Sequence, residues 1–363
     1  MHCASLGEFE QGRPVIEAIK REMPQYKIVL TFFSPSGYEI RKNYGLADIV
    51  SYLPSDTPGN AEKFVSSIKP ELAIFVKYEY WYNYISTLSR NEIPLFLISA
   101  IFRREQLFFK WYGSFFRDIL KKFKMIYVQD QNSVDLLSAI GLTNLCRAGD
   151  TRFDRVMEIA STARIIQQIE DFRGEEKLFL AGSSWKRDEE IIAEYINKYP
   201  DRMKWIFAPH EIEPDNIRRL TKLFKVKCVS FSEFREESHD ARVLIIDNIG
   251  MLSSAYRYAY LAAIGGGFGK GIHNILEPAC WSIPVLIGPN HHRFREAIEL
   301  LKLGGAKSFY NYNDFESIID GWLTDDKLYR KSAETAGNYI RENTGATRKI
   351  MAGIRQQNLN RPY

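Results

Sequence analysis

The sequence predicts an α/β protein of two doubly wound, Rossmann-like domains that face each other across a cleft. Three observations lead there. Short apolar runs alternate with stretches of helical period along most of the chain, the pattern of a parallel sheet covered on both faces. At 363 residues the chain is long for one core, and two domains of roughly 150 to 200 residues are the default. The richest stretch, Leu261 to Pro289, also comes late. It holds an apolar run, glycines at 265, 266, 267, 269 and 271, then Asn274, Glu277 and a second apolar run. A dinucleotide fingerprint belongs in the first βα turn of its domain, so these glycines are not one.

Taken in order, the chain opens on MHCASLGEFE, a loop-like segment where such a domain has its first strand. That strand is expected to be missing or supplied otherwise. Apolar runs predict strands over 27–33, 48–54, 71–76, 94–100 and 125–130. Helices are expected over 34–45, 58–70, 80–91 and 133–141, with one long helical stretch over 101–124. Residues 148–176 carry a charged helix, roughly 155–172, without a clear strand, and read as the connection between domains. Alternation then resumes. Strands are expected over 176–183, 203–209, 226–231 and 242–248, with two more in the glycine-rich stretch. Helices are expected over 188–199, 213–224, 325–343 and 347–357. The domains are therefore 1–155 and 156–340, with a terminal helix in 341–363 folding back over the first.

Composition narrows the class. A hydrophobic content of 45% and a charged content of 26% are ordinary for a globular protein. The net charge of +4 does not argue for nucleic acid, but suits an anionic substrate or lipid surface. Four scattered cysteines suggest neither a disulfide framework nor a zinc site. No apolar run reaches the ~18 residues of a membrane span.

Several residues are placed for chemistry. In Ser5-Leu6-Gly7-Glu8 the spacing fits a capping box. It equally fits a carboxylate at the cleft edge that takes a proton from a hydroxyl. Glu79 ends a predicted strand, where side chains meet ligand, although a helix-start acid fits too. Asn274 and Glu277 have a cap spacing, with Ile275 and Leu276 between them. Gly265 and Gly266 would let a phosphate or sugar approach the backbone. Ser183, Ser184, Pro209 and His210 follow strands of the second domain. They could touch a phosphate or a base, and the serines could also be caps. His291 and His292 lack a third metal ligand at helical spacing and read as loop residues. Segment 101–124 has seven basic and two acidic residues and six aromatics between Phe108 and Phe116. Arg103, Arg104, Lys110 and Trp111 there suit an anionic lipid interface, or a core helix with a basic outer face.

Six segments together resemble the bacterial Kdo (3-deoxy-D-manno-octulosonic acid) transferases. They are HCASLGEFEQGRP at 2–14, YEYWYN at 78–83, GDTRFDR at 149–155, AGSSWKRDEE at 181–190, DNIGMLSSAY at 247–256 and GGGFGKGIHNILEPA at 265–279. The resemblance implies a GT-B fold and an inverting transfer of Kdo from CMP-Kdo to the lipid A precursor, lipid IVA. It implies Glu8 as general base and Glu79 as a catalytic-site acidic residue that supports catalysis or acceptor placement. Pro209, His210, Ile249, Gly250, Met251 and Asn274 to Glu277 match donor-contacting segments. No cofactor besides the donor substrate, and no metal, is implied. The first domain would take the acceptor and the second the CMP-sugar. The family's N-terminal hydrophobic anchor is not in this sequence, so peripheral attachment to the cytoplasmic face of the inner membrane is expected. His210 stands where the family commonly has arginine. The alternatives are a nucleotide-sugar epimerase of the same fold and a non-catalytic anionic-lipid-binding protein.

Overall fold

The computed structural model describes residues 1–359. Two compact units divide the chain. One joins Met1–Arg155 to the stretch from Asn343 onward, and the other is Val156–Glu342.

The first unit is built on parallel strands β1 (Val29–Phe32), β2 (Ile49–Tyr52), β3 (Ala73–Val76), β4 (Leu95–Ala100), β5 (Met125–Val128) and β6 (Leu145–Arg147). β1 pairs with β2, and β3 to β6 lie in sequence order. Between these two groups lie the first residues of the chain. His2 bridges both Thr31 and Phe75. Its N–H donates to the Ile74 carbonyl at 2.8 Å, and the Cys3 N–H donates to Thr31 at 2.9 Å. Met1 to Cys3 thus supply the strand that the opening of the sequence lacked. The strand order reverses between this segment and β3, and such a point is where open α/β sheets receive ligands.

Helix Leu6–Glu22 starts directly after that strand and covers one face. Its Phe9, Val15, Ile16 and Ile19 pack with Leu30, Phe32, Ile74 and Val76, and with Ile350, Met351 and Ile354 of the last helix, Ala346–Leu359. Asp154 caps that helix. Its two oxygens accept the N–H groups of Gly345 at 2.5 Å and Thr347 at 2.6 Å.

Two expectations fail in this region. Segment 101–124 is not a long helix but a 3₁₀ turn, Leu107–Phe109, and a short helix, Ser114–Leu120. The chain turns back at Gly113, where a Cβ would lie 2.1 Å from the Leu107 carbonyl oxygen. The Arg117 guanidinium then bonds the carbonyls of Phe108 and Lys110, at 3.1 and 2.9 Å, in place of a helical ladder. The expected connecting helix is also two, Thr151–Ser161 and Gln167–Arg173, preceded by β6.

The second unit carries β7 (Leu178–Ser184), β8 (Lys204–Pro209), β9 (Cys228–Ser230), β10 (Val243–Ile245), β11 (Leu261–Ile264), β12 (Val285–Ile287) and β13 (Ala306–Ser308). All pair in parallel, in the order β13-β12-β11-β7-β8-β10-β9. Phe179, Trp205 and Phe207 face Tyr195, Phe315 and Trp322 from the covering helices. The order reverses between β7 and β11, so the second switch point lies beside the glycine-rich loop. Among the described residues no helix is long and apolar enough to cross a membrane.

Candidate functional site

Each unit gathers its candidate residues at its own switch point, by different means. In the first unit, Ser5 precedes helix Leu6–Glu22 with an extended backbone. Its N–H and its hydroxyl both donate to Glu8 Oε2, at 2.8 and 2.6 Å. The cap and the base are therefore not exclusive. Both bonds land on one oxygen, and Oε1 accepts none among the described residues. Glu8 is half-buried, so it is held in place with one oxygen left over, as a general base requires.

Glu79 follows β3 but is not a solvated carboxylate. It is 9% exposed. Oε2 accepts the Trp81 indole N–H and lies 3.2 Å from His2 Nε2. His2 Nδ1 in turn meets the Thr31 hydroxyl at 2.9 Å. A carboxylate only accepts, so Nε2 donates to it. In the chain Thr31–His2–Glu79–Trp81 the first three are buried and Trp81 is half-buried, and His2 is braced by edge-on contacts with Phe75 and Trp81, at 5.5 and 5.6 Å. In this geometry Glu79 holds the orientation of His2 and Trp81. His2, Thr31 and Trp81 were not singled out from sequence. Both Glu8 and Glu79 raise the Cys3 thiol further, after burial itself has pushed it up.

The expected interface residues are divided. Arg103, Arg104 and Trp111 are exposed, with Trp111 at 90%, and Lys110 is half-buried. Tyr112 and Phe115 are exposed beside them, while Phe102 and Phe108 go inward.

In the second unit the structure places several donor-side candidates differently from the expectation. Ser183 and Ser184 do not follow β7 but belong to it. Ser183 has a positive φ of 49°, which shifts the register against β8. Ser184 is buried and donates to Glu189 Oε1 at 2.9 Å. The helix start falls at Trp185 instead. Pro209 closes β8 and is buried, leaving His210 exposed beyond it. Ile275 and Leu276 have fully buried side chains, so only their backbone could meet a ligand.

The glycine loop is not a phosphate cradle at the positions expected. The Gly265 N–H donates to the Gly182 carbonyl at 3.0 Å and the Gly266 N–H to Asp188 Oδ2 at 3.0 Å. Those of Gly269 and Gly271 both return to the Gly266 carbonyl. Packing accounts for most of these glycines. A Cβ on Gly265 would meet the Ser183 carbonyl oxygen at 2.2 Å, and one on Gly267 would meet Gly288 Cα at 2.6 Å. Gly266 and Gly271 have φ of 90° and 141°. The helix behind the loop is one turn, Leu276–Ala279.

What the loop does present is polar. Asn274 is exposed, accepts the Leu276 N–H at 3.2 Å, and donates to Glu277 Oε1 at 3.1 Å. Ser253 donates to Glu277 Oε2 at 3.0 Å. Ser253, which the sequence did not single out, thereby ties the Ile249-Gly250-Met251 turn to the Asn274–Glu277 turn. Ile249 is 89% exposed and Gly250 has φ 97°. Met251 is half-buried at the start of helix Leu252–Ala255. Below them Asp188 is buried, and burial pushes its carboxyl up to about 6. Among the described residues no group of three His, Cys, Asp or Glu could hold a metal ion.

Comparison with known proteins follows this geometry. A family model described as 3-deoxy-D-manno-octulosonic-acid transferase (kdotransferase) matches residues 1–155. The chain is 30% identical to a 3-deoxy-D-manno-octulosonic acid transferase of Aquifex aeolicus, over 94% of this chain and 91% of that protein. It is 23% identical to the Haemophilus influenzae protein of the same name, over 97% and 85%. Among solved structures, the UDP-GlcNAc 2-epimerase of Neisseria meningitidis bound to UDP-GlcNAc superposes with a TM-score of 0.67 over 98% of both chains at 16% identity. MurG of Acinetobacter baumannii gives 0.60 over 98% of both at 11% identity. These two likenesses show the fold, which is of the GT-B type.

Proposed function

The chain belongs to the 3-deoxy-D-manno-octulosonic acid (Kdo) transferase family, and on that premise we propose how its residues carry out the transfer. It is a glycosyltransferase. The donor is CMP-Kdo and the acceptor lipid IVA, a lipid A precursor. Glu8 takes the proton of an acceptor hydroxyl through Oε1 while Ser5 holds Oε2. The hydroxyl oxygen forms a bond to the anomeric carbon of Kdo. The bond from that carbon to the phosphate oxygen breaks, and its electron pair leaves with CMP. One displacement inverts the anomeric centre. General-base help of this kind contributes about 10²–10⁴-fold. Glu79 keeps His2 and Trp81 in place beside it. On the donor side, Glu277 accepts from a hydroxyl of the nucleoside, and the exposed Ile249 turn gives the base an apolar contact.

The observation that carries this reading is the Glu8 carboxylate, fastened through one oxygen and unbonded at the other, at the switch point of its sheet. The exposed Trp111, Tyr112 and Phe115 beside Arg103 and Arg104 support contact with an anionic lipid surface, where aromatic rings settle at headgroup level and each basic residue adds about 1 kcal/mol. The proposed site of action is the cytoplasmic face of the inner membrane, a reading these residues support. The test is incubation with CMP-Kdo and lipid IVA, with products weighed by mass spectrometry. Lipid IVA gaining one or more Kdo masses supports the reading. Release of free Kdo without lipid product would sink the acceptor assignment.

A further inference from the structure

Three rings meet at the carboxyl ends of adjacent strands in the second unit. Trp185 follows β7, His210 follows β8, and His273 lies in the loop after β11. The indole stacks on His210 with centroids 4.7 Å apart and planes at 22°. His210 and His273 are 4.6 Å apart at 31°. Trp185 also runs nearly parallel to His273, at 12° and 6.4 Å. The indole N–H donates to His273 Nε2 at 2.9 Å.

That last bond decides a tautomer. An indole nitrogen can only donate, so Nε2 of His273 is the acceptor and its ring proton sits on Nδ1. A second proton on His273 would break the bond from Trp185. Burial, and after it the nearby His210, already act against that proton.

Trp185 is itself held from behind. Its backbone N–H donates to Asp188 Oδ2 at 3.0 Å, and the same oxygen takes the Gly266 N–H. Asp188 thus fastens the start of helix Lys186–Lys198 to the loop that carries His273. The charged groups nearest the three rings in sequence are Lys186 and Arg187 beside Trp185, Glu211 beside His210, and Lys270 in the loop. All four are exposed.

We propose that Trp185 is a positioning residue that locks His273 in its Nδ1–H form and stacks His210 beside it, making the two imidazoles one N–H surface for an anionic group of the donor. The group is a phosphodiester or a carboxylate, both of which CMP-Kdo carries, so the ligand part rests on the donor reading above. Imidazole N–H donors to an anion make charge-assisted bonds, stronger than neutral ones. A cation at His210 would also lie against the indole face, which attracts it.

The test separates the lock from the ligand. ¹⁵N spectra of the whole chain report the His273 tautomer without any donor present. Trp185→Phe keeps a stacking ring and loses the N–H. The expected result is a wild-type His273 protonated on Nδ1, and a mixed or reversed tautomer in W185F. With that change the KM for CMP-Kdo rises about tenfold, the equivalent of one hydrogen bond, while kcat stays within about twofold. The double variant W185F/H273Q should lose no more than H273Q alone, because both act on the same contact. A wild-type proton on Nε2, or an unchanged tautomer in W185F, overturns the lock. A changed tautomer with an unchanged KM overturns the anion surface. If the wild-type protein binds no CMP-Kdo, the donor reading fails and the ligand part falls with it, while the spectra still decide the lock. Unchanged melting of W185F excludes misfolding as the cause.

Discussion

The two switch points solve the same problem with different materials. In the first unit the site is made of side chains. Thr31, His2, Glu79 and Trp81 form a relay, and Ser5 fastens Glu8. In the second unit closely packed backbone carries the side chains of Asn274, Glu277, Trp185, His210 and His273. Glycines pack against Ser183 and Gly288, and the N–H groups of Gly265, Gly266, Gly269 and Gly271 are taken by Gly182, Asp188 and Gly266. The difference fits the parts proposed for them. A proton acceptor needs one oxygen held at one place. A surface for a large nucleotide-linked sugar needs room, which closely approaching backbone provides.

The contrast can be broken most sharply at Glu8. Glu8→Ala should reduce transfer by about 10²–10⁴-fold and leave CMP affinity unchanged by calorimetry. Wild-type turnover would end the assignment of the base. Asp188 comes next. Its folded carboxyl titrates at about 6 against 3.8 ordinarily, so the folded state binds the proton more tightly than the unfolded. Stability should therefore be greatest below pH 4 as far as this group is concerned, and fall as pH rises from about 4 to about 6. Two pKa units correspond to about 3 kcal/mol. Asp188→Asn should flatten that part of the denaturation profile, and a profile identical to wild type would contradict it.

Glu79→Gln keeps the shape of the relay and removes its charge. It should cost about 1–2 kcal/mol by chemical denaturation, with CMP affinity unaffected. A further pair of variants separates the glycines, and holds the smallest effect. Gly267→Ala should cost about 1–3 kcal/mol through overpacking. Gly269→Ala should stay within about 0.5 kcal/mol, because its nearest neighbour to a Cβ is the Gly266 carbonyl oxygen at 3.6 Å. Equal melting of the two variants would show that the loop is not packed as described.

How far the sequence could be read depended on distance along the chain. Strands such as 71–76 and 203–209 announce themselves, because a β-branched or aromatic run buried on both faces leaves a continuous apolar word. Glu8 was legible because Ser5 lies three residues away. The relay was not, since His2 and Glu79 are brought together only by the pairing of residue 2 with Phe75. Segment 101–124 has helical composition, and nothing local reveals that Gly113 must pass close to Leu107. Ser184 reads as a post-strand hydroxyl until the positive φ at Ser183 turns it inward. The glycines suggested a ligand because backbone packing against Gly288, some twenty residues later, leaves no local trace.

The last helix has a consequence for the order of events during synthesis. Ile350, Met351 and Ile354 complete the core around Phe9 and Ile16, and Asp154 waits for the N–H groups of Gly345 and Thr347. The whole of Val156–Glu342 leaves the ribosome before those partners do. Domains ordinarily mature in the order they emerge. Here the unit that begins first is the last to be finished, and a nascent chain stalled near Glu342 would hold a complete second unit beside an open first one.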